Sequence, residues 1–100
     1  MAGTKVAGGV RMSIQAPVVI YTTRFCPFCI RAKQLLDKKD VVYEEIPVDN
    51  DNARRHEMTQ RAGRSTVPQI WVGDTHIGGC DQLYASERDG MLDQLLSSTA

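Results

Sequence analysis

The chain has no apolar run approaching the ~20 residues that a bilayer crossing requires, and no membrane contact is expected. It has no net charge either, because twelve basic residues offset twelve acidic ones. Nothing in that balance steers nucleic acid toward it, so no nucleic-acid partner is expected. Cysteine is sparse and odd in number, with three residues and no secretory signal ahead of them. That argues against the disulfide framework of small secreted domains. Histidine is sparser still. His56, His76 and Cys80 stand at no familiar zinc spacing to one another or to Cys26 and Cys29, so no metal is expected.

What remains is 100 residues, 42% apolar and 24% charged, the make-up of one ordinary globular domain with a single core. The first residues differ from the rest. Residues 1–15 are rich in glycine and small side chains and show no apolar period. They are expected to be a flexible arm or an expression remnant, with Met12 a candidate natural start. The stretch has no acids, as an organellar targeting segment would, but it is poor in arginine. The domain itself is expected over 16–100.

Cys26-Pro27-Phe28-Cys29 carries the chemistry. It follows the apolar run Val18 to Thr22 and opens a helical pattern that continues to Lys39. A helix start offers unpaired N–H groups and a positive dipole end to a thiolate. Pro27 suits the first helical position, where no N–H donor is needed. A redox-active dithiol is therefore expected. Thiols kept reactive rather than paired suit a reducing compartment, and a cytoplasmic location follows as an expectation.

The rest of the chain alternates strands and helices. Val18 to Thr22 suits a central strand buried on both faces. The following helix groups Cys29, Ala32, Leu35 and Leu36 on its apolar side. Val41 to Val48 is expected as a second strand, with Pro47 marking an edge. The run Asp49 to Asn52 is dense in capping residues and starts a second helix near Ala53, which Gly63 should stop. Pro68 to Val72 and Thr75 to Ile77 form a hairpin about Gly73-Asp74. A third helix begins near Asp81, and a short one carries Leu92, Leu95 and Leu96. The first strand–helix–strand unit should be a right-handed parallel crossover. This is an α/β chain with a four-stranded mixed sheet flanked by helices, which matches the thioredoxin fold.

Three motifs now stand in order: Cys26-Pro27-Phe28-Cys29, Thr66-Val67-Pro68-Gln69-Ile70 and Gly78-Gly79-Cys80-Asp81. In these the chain resembles glutaredoxins, especially the small bacterial-type dithiol class, from about Val18 to Leu96. The resemblance implies a glutathione-dependent oxidoreductase that reduces protein disulfides and protein–glutathione mixed disulfides. It implies Cys26 as nucleophile and Cys29 as second thiol. Thr66 and Val67 would meet the glutathione backbone, and Pro68 would be cis. Gly79, Cys80 and Asp81 would hold the γ-glutamyl end, where a helix start suits its carboxylate and Asp81 its amine. Phe28 would wall the glutathionyl sulfur. Many relatives place Lys three residues before the nucleophile to meet the glycine carboxylate. Here that position is Thr23, and Arg24 or Arg55 is the candidate substitute. Gln82 stands where many relatives have a second acid.

Exchange chemistry explains such a site. A thiol with pKa ~8.5 is only about 3% ionised at neutral pH. Lowering it raises the thiolate fraction but weakens each thiolate, so attack barely improves. A low-pKa sulfur leaves a mixed disulfide faster, and the gain lies in turnover. Cys29, on the apolar helix face, should be the buried, slower thiol. Cys80 is expected to be a small hydrophobe beside the site, and His56 and His76 to be surface residues. A bridged dimer carrying a [2Fe–2S] cluster through Cys26 and glutathione is the alternative. The single-thiol relatives that do this mostly have Ser and Gly where Cys29 and Pro27 stand. An adaptor that only binds proteins is a third. The dithiol reading needs one copy, so a monomer is expected.

Overall fold

The computed structural model describes residues 15–97. Its elements are β1 (Val18–Thr22), α1 (Pro27–Lys38), β2 (Glu44–Pro47), α2 (Asn52–Ala62), β3 (Gln69–Val72), β4 (Thr75–Gly78), α3 (Cys80–Arg88) and α4 (Met91–Ser97). The four strands form one mixed sheet in the order β2-β1-β3-β4. β1 runs parallel to β2 and antiparallel to β3, and β3 pairs antiparallel with β4. This is the expected thioredoxin fold, with β1 in the middle and α1 as the crossover.

Side-chain alternation along the strands separates two cores. Val18 and Ile20 of β1 join Ile70 and Val72 of β3 on one face, under Ala32, Leu35 and Leu36 of α1, Leu83 of α3 and Leu92 of α4. Tyr21 and Trp71 point to the other face, where Met58 of α2 and Val48 cover them. The two α1–α3 helices are also joined at the surface, where the Tyr84 hydroxyl donates to Arg31 O at 3.0 Å.

Three expected strands change bounds, the fourth by one residue, ending at Gly78 rather than Ile77. The second strand covers Glu44–Pro47 rather than Val41 to Val48. Its late start follows from where the preceding backbone bonds go: Val41 N–H donates to Leu36 O at 3.0 Å, both Val42 backbone groups bond to Gln15, and the ladder begins with Glu44 opposite Val19. Val41 and Tyr43 still pack into the core, from a loop. That loop is held by Gln15, whose side-chain amide donates to Val42 O at 2.8 Å and accepts from Val42 N at 3.1 Å. Apart from Gln15, the expected N-terminal arm lies outside the described residues. The third strand begins at Gln69, one residue after the expected Pro68. The helix limits agree with expectation to within one residue, and Gly63 closes α2 at φ +74°, a left-handed conformation that glycine takes without a Cβ penalty.

Candidate redox site

Cys26 is the N-cap of α1, with extended backbone, and Pro27 follows in the first turn. Its sulfur accepts from the Cys29 backbone N–H at 3.2 Å. This is the capping bond that Ser or Asp usually makes, here made to sulfur. The first turn of α1 contains no acid, so no carboxylate competes for the positive end of the helix. Cys26 is half-buried, Cys29 is buried, and both thiols are unpaired. One turn deeper, Cys29 lies against the core at 1% exposure. Burial first, then the Cys26 sulfur beside it, pushes its thiol up to about 12.

The Cys26 thiol also faces Val67 O at 3.8 Å. Val67 belongs to the loop between α2 and β3, and the Val67–Pro68 bond is cis, as expected. This loop borders a cleft of about 290 Å³. Seven expected residues line it: Phe28, Thr66, Val67, Pro68, Gly79, Cys80 and Asp81. Three separated segments thus converge: the start of α1, the loop before β3 and the start of α3.

The third segment depends on Gly78. Its φ is +112°, and a Cβ there would meet Gln82 Cγ at 3.2 Å. Gln82 lies close because it caps α3: its Oε1 accepts from Gly79 N at 2.9 Å. Gln82 therefore satisfies the Gly79 N–H, and it lines the cleft too. The N–H groups of Cys80 and Asp81, in the first turn of α3, have no acceptor within the helix. Cys80 itself is buried at 5% exposure, and burial raises its thiol, which fits its expected place as a small hydrophobe beside the site.

The expected cation is placed differently. Thr23 and Arg24 are not among the cleft residues. The Arg24 Nε donates to Asp49 at 2.7 Å, holding that carboxyl below its usual range. Arg55 donates through Nη2 to Ser65 O at 3.0 Å and so ties down the loop. The cation on the cleft wall is Arg64, which the sequence reading did not single out. The signal was available: Gly63 ends α2, so Arg64 leaves the helix in the loop leading to Pro68. His56 and His76 are both exposed, as expected. Among the described residues, no three His, Cys, Asp or Glu side chains gather as a metal site, and no helix is long and apolar enough to cross a membrane.

Comparison with known proteins adds relatives to this geometry. A family model described as Glutaredoxin matches residues 18–77. The chain is 60% identical to a glutaredoxin of Pseudomonas aeruginosa over 82 residues, covering 82% of this chain and 98% of that one. It is 54% identical to glutaredoxin 3 of Escherichia coli over 81 residues, covering 81% and 98%. Among solved structures, the glutaredoxin of Brucella melitensis superposes with a TM-score of 0.76 at 44% identity, covering 90% of this chain and 99% of that one. A buckwheat glutaredoxin–glutathione complex gives a TM-score of 0.76 at 34% identity, covering 82% and 77%.

Proposed function

The chain belongs to the glutaredoxin family and is a glutathione-dependent thiol–disulfide oxidoreductase, and on that premise we propose that Cys26 is its nucleophile and Cys29 its second thiol. Glutathione is the reducing co-substrate. The observation that carries the assignment is the Cys29 N–H on the Cys26 sulfur at 3.2 Å, beside the cleft. A helix start with such a donor is where reactive thiolates are held.

The reaction runs by two routes. With a glutathionylated protein, the Cys26 thiolate attacks the glutathionyl sulfur, the protein thiolate leaves and takes a proton, and a Cys26–glutathione disulfide forms. A second glutathione thiolate attacks that glutathionyl sulfur, releases Cys26 as a thiolate and forms oxidised glutathione. With a protein disulfide, Cys26 attacks one sulfur and stays bonded to the substrate. Cys29 then gives up its proton and attacks Cys26, the substrate leaves as a dithiol, and two glutathiones reduce the resulting Cys26–Cys29 disulfide. Cys29 has high effective concentration for this step. Its raised pKa keeps it a thiol until then, so it competes weakly with glutathione on the first route.

In the proposed binding mode Phe28 flanks the glutathionyl sulfur and Val67 pairs with the glutathione backbone in the manner of a strand. Thr66 and Pro68 shape that wall. The first turn of α3 (Gly79, Cys80, Asp81) receives the γ-glutamyl end, and Arg64 takes the glycine carboxylate in place of Thr23 or Arg24. Disulfide-bonded and glutathionylated proteins are the proposed substrates, the acting unit is a monomer because both thiols sit in one chain, and the reaction suits the cytoplasm. Residues 16–100 are assigned to the domain.

Cys26→Ser is expected to abolish turnover on both substrate classes. Cys29→Ser should retain or exceed parental activity on glutathionylated substrates and lose most activity on protein disulfides, measured side by side. Substantial activity in Cys26→Ser, or equal losses for Cys29→Ser on both substrates, would overturn the two-route assignment.

A further inference from the structure

Gln69 is fully buried at 0% exposure, with Thr22 one of two buried polar residues among the described residues. Its Nε2 donates to Thr66 O at 3.0 Å and to Thr66 Oγ1 at 3.2 Å. A carbonyl can only accept, so this fixes the amide orientation. The other end, Oε1, must then accept. It meets His76 Nε2 at 2.7 Å, so that ring nitrogen carries its hydrogen in both the neutral and the charged ring. The ring cannot easily turn away: it stacks on Trp71 at 4.5 Å between centroids and 25° between planes. Trp71 is covered in turn by the Arg61 guanidinium at 4.3 Å.

The donors therefore run one way, from His76 through Gln69 to Thr66. Because Thr66 Oγ1 already accepts from Gln69, its own hydrogen is directed elsewhere. Thr66 is exposed and lines the cleft, one residue before the Val67 carbonyl that faces Cys26. Hydrogen bonds aligned in series polarise one another.

We propose that Gln69 and His76 are positioning residues of the glutathione site, holding the Thr66 hydroxyl as a donor aimed into the cleft at an acceptor oxygen of glutathione. The inference rests on the proposed binding mode and extends it to two side chains outside the cleft. Of the cleft residues, Thr66 is the one to which the Gln69 side chain is hydrogen-bonded. Burial and the nearby Arg64 and Arg61 lower the His76 pKa, and because Nε2 keeps its hydrogen in either charge state the relay needs no proton exchange.

Two substitutions separate the hydrogen bond from the stacking. His76→Phe keeps an aromatic ring on Trp71 and removes the donor. His76→Gln restores an N–H near the Nε2 position and gives up the ring. Steady-state reduction of a glutathionylated substrate should show an apparent KM for glutathione raised about 2- to 12-fold in His76→Phe, the worth of one net hydrogen bond. Its kcat should change by less than about twofold, and His76→Gln should return KM most of the way toward the parental value. In a Thr66→Val background, His76→Phe should add nothing further to KM. An unchanged KM in His76→Phe overturns the proposal, as does a loss confined to kcat or equal shifts in both His76 variants. Effects of His76→Phe and Thr66→Val that multiply would show a general structural role and overturn it too. Turnover of the parental enzyme is the control: its absence would sink the glutathione reading itself, whereas normal turnover with unaffected variants sinks only the relay.

Discussion

Cys26 and Cys29 have the same chemistry and opposite settings, and three residues of helix make the difference. Cys26 ends the extended chain and receives a backbone N–H on its sulfur, whereas Cys29 is turned into the core. Arginines divide in a similar way. Arg24 is neutralised by Asp49 and Arg55 is spent on the Ser65 carbonyl, which leaves Arg64 on the cleft wall. Replacement of Arg64 by Ala is therefore expected to raise the apparent KM for glutathione by up to about fivefold, since an exposed ion pair is worth ~0.2–1 kcal/mol. Arg24→Ala should leave KM within about twofold. The reverse ranking in steady-state kinetics would place the glycine carboxylate near α1 and not near Arg64.

Helix ends set up the site, and their strength can be measured. α2 carries Arg55, which ties the loop before β3, and its start is capped by Asp51, whose Oδ1 accepts from Arg54 N at 3.0 Å. Removing such a cap costs about 1 kcal/mol. In a domain of this size that lowers Tm by roughly 4–8 °C. Asp51→Ala should show this loss in a thermal melt, and Asp51→Asn should recover most of it, because the bond and not the charge does the capping. Equal melting of Asp51→Ala and the parent would mean that α2 is held by Met58 packing alone. The same capping rule, visible in the run Asp49 to Asn52, placed this helix from sequence, and Gly63 placed its end. The second strand was less legible. An apolar run from Val41 looked like strand, but the Val42 backbone groups bond to the Gln15 side chain, which no local window contains.

For the molecule as a whole, the buried acids fix the pH response. Burial raises Cys29 from 9.0 to about 12, and burial with the neighbouring Asp37 carboxylate raises Tyr43 from 10.0 to about 12. In the unfolded chain each group ionises near its ordinary value, while the folded chain keeps it protonated. Above that value the unfolded state binds fewer protons, so stability falls as pH rises. Below pH 9 both contributions are fully present. Denaturant unfolding from pH 7 to 11 should show stability declining from about pH 9 and more steeply beyond 10, the ordinary values of the two groups. Cys29→Ala should flatten the first part of the decline and Tyr43→Phe the second. Curves parallel to the parent for both variants would mean that neither group is kept neutral by the fold.

By itself the sequence determined the order of elements, the helix-start dithiol and the three motifs, because each is written in neighbouring residues: a strand run, a capping pattern, a turn pair. It also ranked Cys29 as the buried thiol, since helical spacing alone put it with Ala32 and Leu36. The tertiary structure decided which partners meet. Arg24 finds Asp49, Arg55 finds the Ser65 carbonyl, and Gln69 bridges His76 to Thr66. These choices depend on where the chain returns in space, and an arginine reads the same in sequence whether it ends on a carboxylate, a carbonyl or a cleft wall. The fold brings α1, the cis-proline loop and α3 to one end of the sheet, and only that convergence turns separated motifs into a site.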